Sequence, residues 1–363
     1  MAAFSYLKRD LGYSPYLRNA GNFVDDLGIA FRFSGLAFSS VGDVETRNGQ
    51  KQDGLKLDPV SGLLQRYGFT SKQMAKVSKS VPLVYSFSVE TLTPKLRFLR
   101  SILGSENDVC RVVTANPRVL TSSLKNQLEP NYEFIKSIIE QDDLIAKSIK
   151  RSSRILHLEL EGNLAAKVSF LRGNGVTNSS IAKLMVDSPG ILALPSSRLE
   201  ELLEKAKSFG FESSRPMIVP AVRAISQITE SNWDQKLEVY KRWGWSNDDF
   251  LTAFKRQPNI MTLSEEKISK GMDVLLNRVG LSSLDIVKYP NILFFNLEER
   301  IIPRCSVVDL LHSKGVLGES RPSISTYIGA LRVKEEAFVK RFVDRYPEHV
   351  LELWQKFRLK ALV

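Results

Sequence analysis

The chain is poor in the residues that build most catalytic and metal centres. Two cysteines, Cys110 and Cys305, cannot make a disulfide framework and point to a reducing compartment. The three histidines, His157, His312 and His349, are scattered, and no CxxC or HxxxH pairing offers a set of zinc ligands. There is no P-loop, and Gly173-Asn-Gly175 lacks the third glycine and the preceding strand of a dinucleotide site. Asp142-Asp143 and Asp248-Asp249 pair carboxylates as a metal-dependent nuclease would. Each pair instead opens a helix, where acids complement the dipole and cap free N–H groups. No uncharged run approaches 18 apolar residues, so no membrane span is expected. The reading is a non-enzyme with no cofactor and no metal.

What the chain does have is a repeat. From Gly244 to Met261 it reads as punctuation followed by a helix. Gly244 suits the left-handed residue just past a helix end, and Trp245 packs back on that helix. Ser246 caps the next helix, with Asp249 completing a capping box, and Pro258 stops it. The glycine recurs at Gly68, Gly104, Gly175, Gly210, Gly244, Gly280 and Gly315, at intervals of 36, 71, 35, 34, 36 and 35 residues. The long interval is two units whose middle mark, near Glu140, has lost its glycine. The stop recurs at Pro82, Pro117, Pro189, Pro258 and Pro290, with Ser153 standing where the glycine-less unit should have its proline. A second helix then leads to the next glycine. A period of this length means stacked supersecondary units, here an all-α solenoid of about seven to eight repeats of ~35 residues. The solenoid covers 55–350, and 324–363 drifts from the period as terminal capping helices do.

The ordered set of marks, a glycine with an apolar residue and Ser or Thr, a helix, a Pro-x-[Ile/Val]-Leu stop and a Leu-x-Pro…Phe-[Leu/Ile] helix, resembles the mTERF repeat. That repeat belongs to the mitochondrial transcription termination factor family. Val219–Ser226, Lys236–Ser246, Arg256-Gln-Pro and Leu263–Ile268 are similar to its land-plant branch. The resemblance implies a curved superhelix of two α-helices and a short 3₁₀ turn per repeat. It also implies a partner, organellar DNA or RNA, and a role in organellar gene expression such as transcription termination or intron splicing.

Charge agrees with a polyanionic partner. The chain carries 51 basic and 40 acidic residues, a net +11, and residues 1–54 hold six of each sign, so the excess lies in the repeats. Residues 1–50 break the repeat, and Arg32–Ser40 suits an organellar presequence, although Asp10, Asp25 and Asp26 are unusual in one. The mitochondrion is the expected address, with the chloroplast as alternative.

Counting backward from each stop, positions −8, −5 and −4 of the first helices are mostly apolar and form one core-facing stripe. Position −6 points away from it and holds Lys76, Arg111, Lys147 and Lys183 in four successive units. Positions −3 and −2 hold Lys79, Lys150, Arg151, Lys255, Arg256 and Lys288, and Arg154 follows Ser153. Stacking turns these into a ladder of positive charge that suits a phosphate backbone. Cations in a last helical turn also offset the macrodipole, which accounts for −3 and −2 without a ligand. A second ladder competes on the second helices: Lys95, Arg97, Arg100, Lys136, Lys167, Arg172, Lys241, Arg242, Arg300 and Arg304. The unit from Gln141 to Leu156 is dense in cations and is expected to contribute most to binding. The reading from a different class is a protein-interaction scaffold, in which the charge is incidental.

Overall fold

The computed structural model describes residues 58–318 and 322–360. The presequence expected within residues 1–50 lies outside them. The helices in chain order are α1 Pro59–Arg66, α2 Ser71–Ser80, α3 Val89–Leu103, α4 Glu106–Ala115, α5 Glu129–Lys136 and α6 Asp142–Arg151. They continue as α7 Ala166–Gly173, α8 Asn178–Asp187, α9 Ser196–Ser208, α10 Ile218–Ser226, α11 Glu230–Arg242 and α12 Asn247–Arg256. The last are α13 Glu265–Asp273, α14 Ser283–Lys288, α15 Ile302–Ser313, α16 Ile324–Arg332, α17 Glu335–Phe338 and α18 Pro347–Lys360. Among the described residues there is no strand. The fold is the all-α helical-repeat solenoid that the period implies, with even-numbered helices α2–α16 as the first and odd-numbered helices as the second of each unit.

Local chemistry explains the repetition. All seven glycine marks have positive φ, from 72° at Gly315 to 88° at Gly68, a conformation that costs an L-residue its Cβ clearance. Where the glycine is lost, α5 ends at Ser137 in a right-handed conformation, φ −66°, and the Ile139 N–H donates to the Ile135 carbonyl at 2.8 Å. The Ser246 cap is as read: its hydroxyl accepts from the Asp249 N–H at 3.1 Å, and its own N–H donates to the Asp249 carboxylate at 3.0 Å.

Each stop becomes a short turn at Pro82–Ser86, Pro117–Leu120, Ser153–His157, Pro189–Leu192, Pro258–Thr262 and Pro290–Phe294, all 3₁₀ except Pro189–Leu192, which is α. Proline fits the first residue of such a turn because its missing N–H has no partner there, and it pushes the preceding residue into extended backbone. Asn116 and Gln257, each before a proline, have φ −147° and −148°. Ser152 has φ −156° with no proline after it. In place of the proline, the buried Ser153 accepts through its hydroxyl from Asn116 Nδ2 at 3.3 Å.

Packing follows in columns. The first helices stack α2 on α4 on α6 on α8 on α10, and α12 on α14, while α1 meets α3 and α11 meets α13. The turns stack as well, Pro117–Leu120 on Ser153–His157 and Pro258–Thr262 on Pro290–Phe294. The core stripe is buried as read: Val77, Val109, Val112, Ile145, Ile149, Ile181, Leu184, Phe250 and Phe254 among others. Around Gly244 the core is aromatic, with Trp245 stacked on Tyr240 at 4.6 Å and Trp233 edge-on to Phe254 at 5.1 Å. Trp245 therefore staples the helix end. At the C-terminus, α16 and α18 pack against α15. Among the described residues no helix is long and apolar enough to cross a membrane.

Candidate nucleic-acid interface

The core stripe turns position −6 of the first helices outward, and Lys76, Arg111, Lys147 and Lys183 are all exposed. Arg111 lies 3.6 Å from Asp108, and Lys183 lies 2.9 Å from Asp187, in pairs one helical turn apart. Exposed pairs of this kind contribute little, on the order of 0–1 kcal/mol, so a competing anion displaces the carboxylate at small cost. The Lys76 and Lys147 ammonium groups form no ion pair or hydrogen bond among the described residues.

The cations nearer the helix ends tie units together. Lys150 lies 2.6 Å from Asp108 of the preceding first helix, and its hydrogen bond holds the Asp108 carboxyl below the usual range. Arg151 reaches forward to the end of α8, donating at 3.2 Å to the Val186 carbonyl, 2.7 Å to the Asp187 carbonyl and 3.1 Å to the Asp187 carboxylate. Burial pushes the Asp187 carboxyl up, but the Lys183 hydrogen bond and the charges of Lys183, Arg151 and Lys147 outweigh it and leave it lowered. Arg256 repeats the reach in the other half, donating at 2.7 Å to the Lys288 carbonyl. Arg154, Lys255 and Lys288 are exposed. Lys255 lies across Gly210, where an added Cβ would come within 2.7 Å of its Nζ. The eleven cations expected to form one ladder thus divide: Lys150, Arg151 and Arg256 brace the stack, and the others, Lys79 included, project from it.

The competing ladder on the second helices is consumed in part inside the protein, whereas its Arg97, Arg100, Lys136, Arg172 and Arg242 stay exposed. Lys95 and Lys167 are 6% and 2% exposed, and Arg304 is 2% exposed. Lys95 donates to the Leu120 carbonyl at 2.7 Å, Lys167 to those of Leu192 (2.9 Å) and Leu194, and Arg304 to those of Ala330 (2.8 Å) and Val333 (2.7 Å). Lys236 and Lys267 do the same toward Met261 and Phe294, at 2.7 and 3.2 Å. In every case a second-helix donor satisfies carbonyls at or just beyond the end of the next unit's turn, or of α16 in the case of Arg304, groups that a short helix leaves unpaired. Burial lowers the Lys95 and Lys167 ammonium groups, and for Lys167 the Arg154 charge adds to it.

The exposed charge that remains is mixed on α3, α5 and α7, with Arg97, Arg100, Lys136 and Arg172 against Glu90, Glu129 and Glu133, and acidic on the later second helices. On α9, α11 and α13 it is Glu200, Glu201, Glu204, Glu230, Glu238, Glu265, Glu266 and Asp273 against Arg242 and Lys270. On the first helices the balance reverses: Lys72, Lys76, Lys79, Arg111, Lys147, Arg151, Lys183, Lys255, Arg256, Lys288 and Arg332 against Asp142, Asp143 and Asp248. Among the described residues no group of three or more His, Cys, Asp or Glu is placed to hold a metal ion.

The mTERF family model matches residues 62–219 and, overlapping them, 144–339. The chain belongs to the mTERF family. It is similar to the transcription termination factor MTERF8, chloroplastic, of Arabidopsis thaliana, at 20% identity over 226 residues, 62% of this chain and 38% of that protein. It is also similar to the transcription termination factor MTERF15, mitochondrial, of the same plant, at 26% identity over 180 residues, 48% of this chain and 38% of that protein. The matches therefore span well under half the length of these curated relatives.

Within the mTERF repeat, sequence reasoning missed the residues that act across units. Asn131 is fully buried and donates through Nδ2 to the carbonyls of Ile155, Leu156 and Leu158, at 3.3, 2.9 and 2.7 Å. It stands 36 residues after Lys95 and 36 before Lys167, the register that marks it as their equivalent. Arg332, Gln257 and Asn291 were missed as well, and with Arg256 and Lys288 they line one cavity. Arg332 ends its helix as Arg256 and Lys288 end theirs, but its unit has no proline from which to count.

Proposed function

We propose that this mTERF chain binds a polynucleotide, organellar DNA or RNA, through backbone phosphates laid along its first helices, and thereby regulates organellar gene expression without catalysing a reaction. The observation that supports this reading is the excess of exposed cations along the first helices. A polyanion meets eleven exposed cations and three acids over the first helices, and mostly carboxylates on α9, α11 and α13. Lys76, Arg111, Lys147, Lys183, Arg154, Lys255 and Lys288 are the direct contacts in this reading. Lys150, Arg151 and Arg256 hold the helix ends in register and lend their charge. Transcription termination is the first role proposed, because the relatives carry that name, and RNA processing is the alternative. Both relatives are organellar, one plastid and one mitochondrial, and the mitochondrion is the address proposed.

The test is fluorescence anisotropy with duplex DNA, single-stranded DNA and structured RNA across a salt series. The wild type and the triple change Arg111→Glu, Lys147→Glu, Lys183→Glu are compared. Log affinity should fall linearly with log salt, at roughly 0.9 per duplex phosphate contacted, and the slope should be shallower in the triple variant. Binding that ignores salt would replace this reading with the apolar scaffold one. A slope unchanged by the triple variant would move the path off the first helices.

A further inference from the structure

One cavity gathers cations from three successive first helices. Arg256 closes α12, Lys288 closes α14 and Arg332 closes α16, and together with Gln257, Pro290 and Asn291 they line an open cleft of about 390 Å³. No carboxylate is among the lining residues. The Arg256 fork is fixed by its bond to the Lys288 carbonyl at 2.7 Å, which leaves its remaining N–H groups free. The Lys288 ammonium and the Arg332 guanidinium form no ion pair or hydrogen bond among the described residues.

The same chain supplies a comparison. Arg151 occupies in α6 the place that Arg256 occupies in α12, two residues before the turn, and likewise donates at 2.7 Å to the carbonyl at that place in the next first helix. There the residue reached is Asp187, whose carboxylate neutralises Arg151 at 3.1 Å. In the other half the residue reached is Lys288, so a positive charge stands where an anion did, and Arg332 adds a third. Helix dipoles do not cancel this. Each C-terminus contributes about half a negative charge, so three of them leave the cleft roughly +1.5. Like charges brought together without a counter-ion repel, and an anion relieves them.

We infer that this cleft seats a phosphate group. A guanidinium fork, a second guanidinium and an ammonium offer only donors, and the Gln257 and Asn291 carboxamides each add a further pair. That set fits a tetrahedral, acceptor-rich anion. The cleft is open, as a group presented on a continuing chain requires, and its source is a backbone phosphate of the bound polynucleotide. The source rests on the function proposed above, whereas the cleft does not. The anchor of the solenoid then lies in its C-terminal half rather than in the unit Gln141–Leu156.

The test uses the full chain with the double change Lys288→Gln, Arg332→Gln, leaving Arg256 and its brace in place. A control double change, Lys125→Gln, Lys136→Gln, removes equal charge from exposed positions on α5 and just before it. Inorganic pyrophosphate should raise the melting temperature of the wild type and the control but not of the cleft variant. The salt slope of polynucleotide binding should fall by about 0.7–0.9 in the cleft variant and stay unchanged in the control. Polymer binding with an unchanged slope and no pyrophosphate effect would overturn the cleft and leave nucleic-acid binding standing. A pyrophosphate effect lost in the cleft variant, with no polymer bound by the wild type, would keep the cleft, assign it to a free phosphate ester and overturn the proposed function. An equal fall in slope for both variants would reduce the cleft to bulk charge and overturn it.

Discussion

The Lys167 ammonium donates at 2.9 Å to the carbonyl of Leu192, 25 residues ahead, from a site only 2% exposed. Its other partners are the Leu194 carbonyl and Asn163 Oδ1. A buried cation is tolerable only when its protons are all engaged, and here three acceptors do so. Lys95 reaches the Leu120 carbonyl across the same 25 residues, and Lys236 reaches that of Met261.

Replacing Lys167 with Met should therefore destabilise the chain although it removes a buried charge. The methionine fills the volume but leaves the Leu192 and Leu194 carbonyls unpaired, at about 1–3 kcal/mol each. Urea unfolding should show a loss of roughly 2–4 kcal/mol on that basis, against less than about 0.5 for the exposed Lys125→Met. An unchanged midpoint in Lys167→Met would mean that water satisfies the carbonyls.

Asn131 stands at the lysine register with a shorter reach, and its Oδ1 is buried without a partner. Asn131→Leu should cost about 2 kcal/mol or more, because three carbonyls lose their donor. Asn131→Lys should hold stability within about 1 kcal/mol of wild type, because it restores the donor used by the flanking units and removes the orphan acceptor. Equal losses for both substitutions in thermal melts would refute the equivalence.

Acid should act on one histidine before it reaches any carboxylate. Burial holds the His157 imidazole below its ordinary value; its own backbone hydrogen bond opposes this, and the charges of Arg154 and Arg118 assist it. Its Nε2 lies 2.8 Å from Asn116 Nδ2, which donates to the neutral ring. The folded pKa is depressed, so the stabilisation is complete above the unfolded value near 6.5 and is lost as pH falls through the folded one. Melting temperature should be flat from pH 8 to 7 and decline below about 6.5, and His157→Gln should flatten that decline.

A second acid limb belongs to Asp108 and Asp187, both held below the usual carboxylate range. Their contribution is present above about pH 4 and disappears as pH falls through the lowered values. Lys150→Met removes the hydrogen bond that does most to lower Asp108, so stability measured between pH 5 and 2 should change less steeply in that variant than in wild type.

Much of the fold was legible because its signals are local. A glycine that needs positive φ at Gly68 or Gly244, a Ser246–Asp249 cap and a proline at Pro258 each act within a few residues, and each does in space what its spacing implies. Loss of the mark at Ser153 was legible too, but not its replacement, since Asn116 is 37 residues away. The inward lysines were visible in principle. Lys95 lies between Leu92, Leu96 and Leu99, and Lys167 between Leu164, Val168 and Leu171, on the core stripe itself. A cation on an apolar stripe reads as an outward residue only if the carbonyls waiting a unit later are ignored. The acidic surface of α9, α11 and α13 was hidden for the same reason, because it appears only once half-buried cations such as Lys236 and Lys267 are subtracted.

The donors at Lys95, Asn131, Lys167, Lys236 and Lys267 each span one joint between adjacent units. Load along the stack is therefore carried by ties in series. The compliance of the whole is the sum of its joints, and a pull on the ends lengthens the molecule by opening joints while the interior of every unit stays intact. A solenoid so built changes length through its joints, and its softest joint yields first.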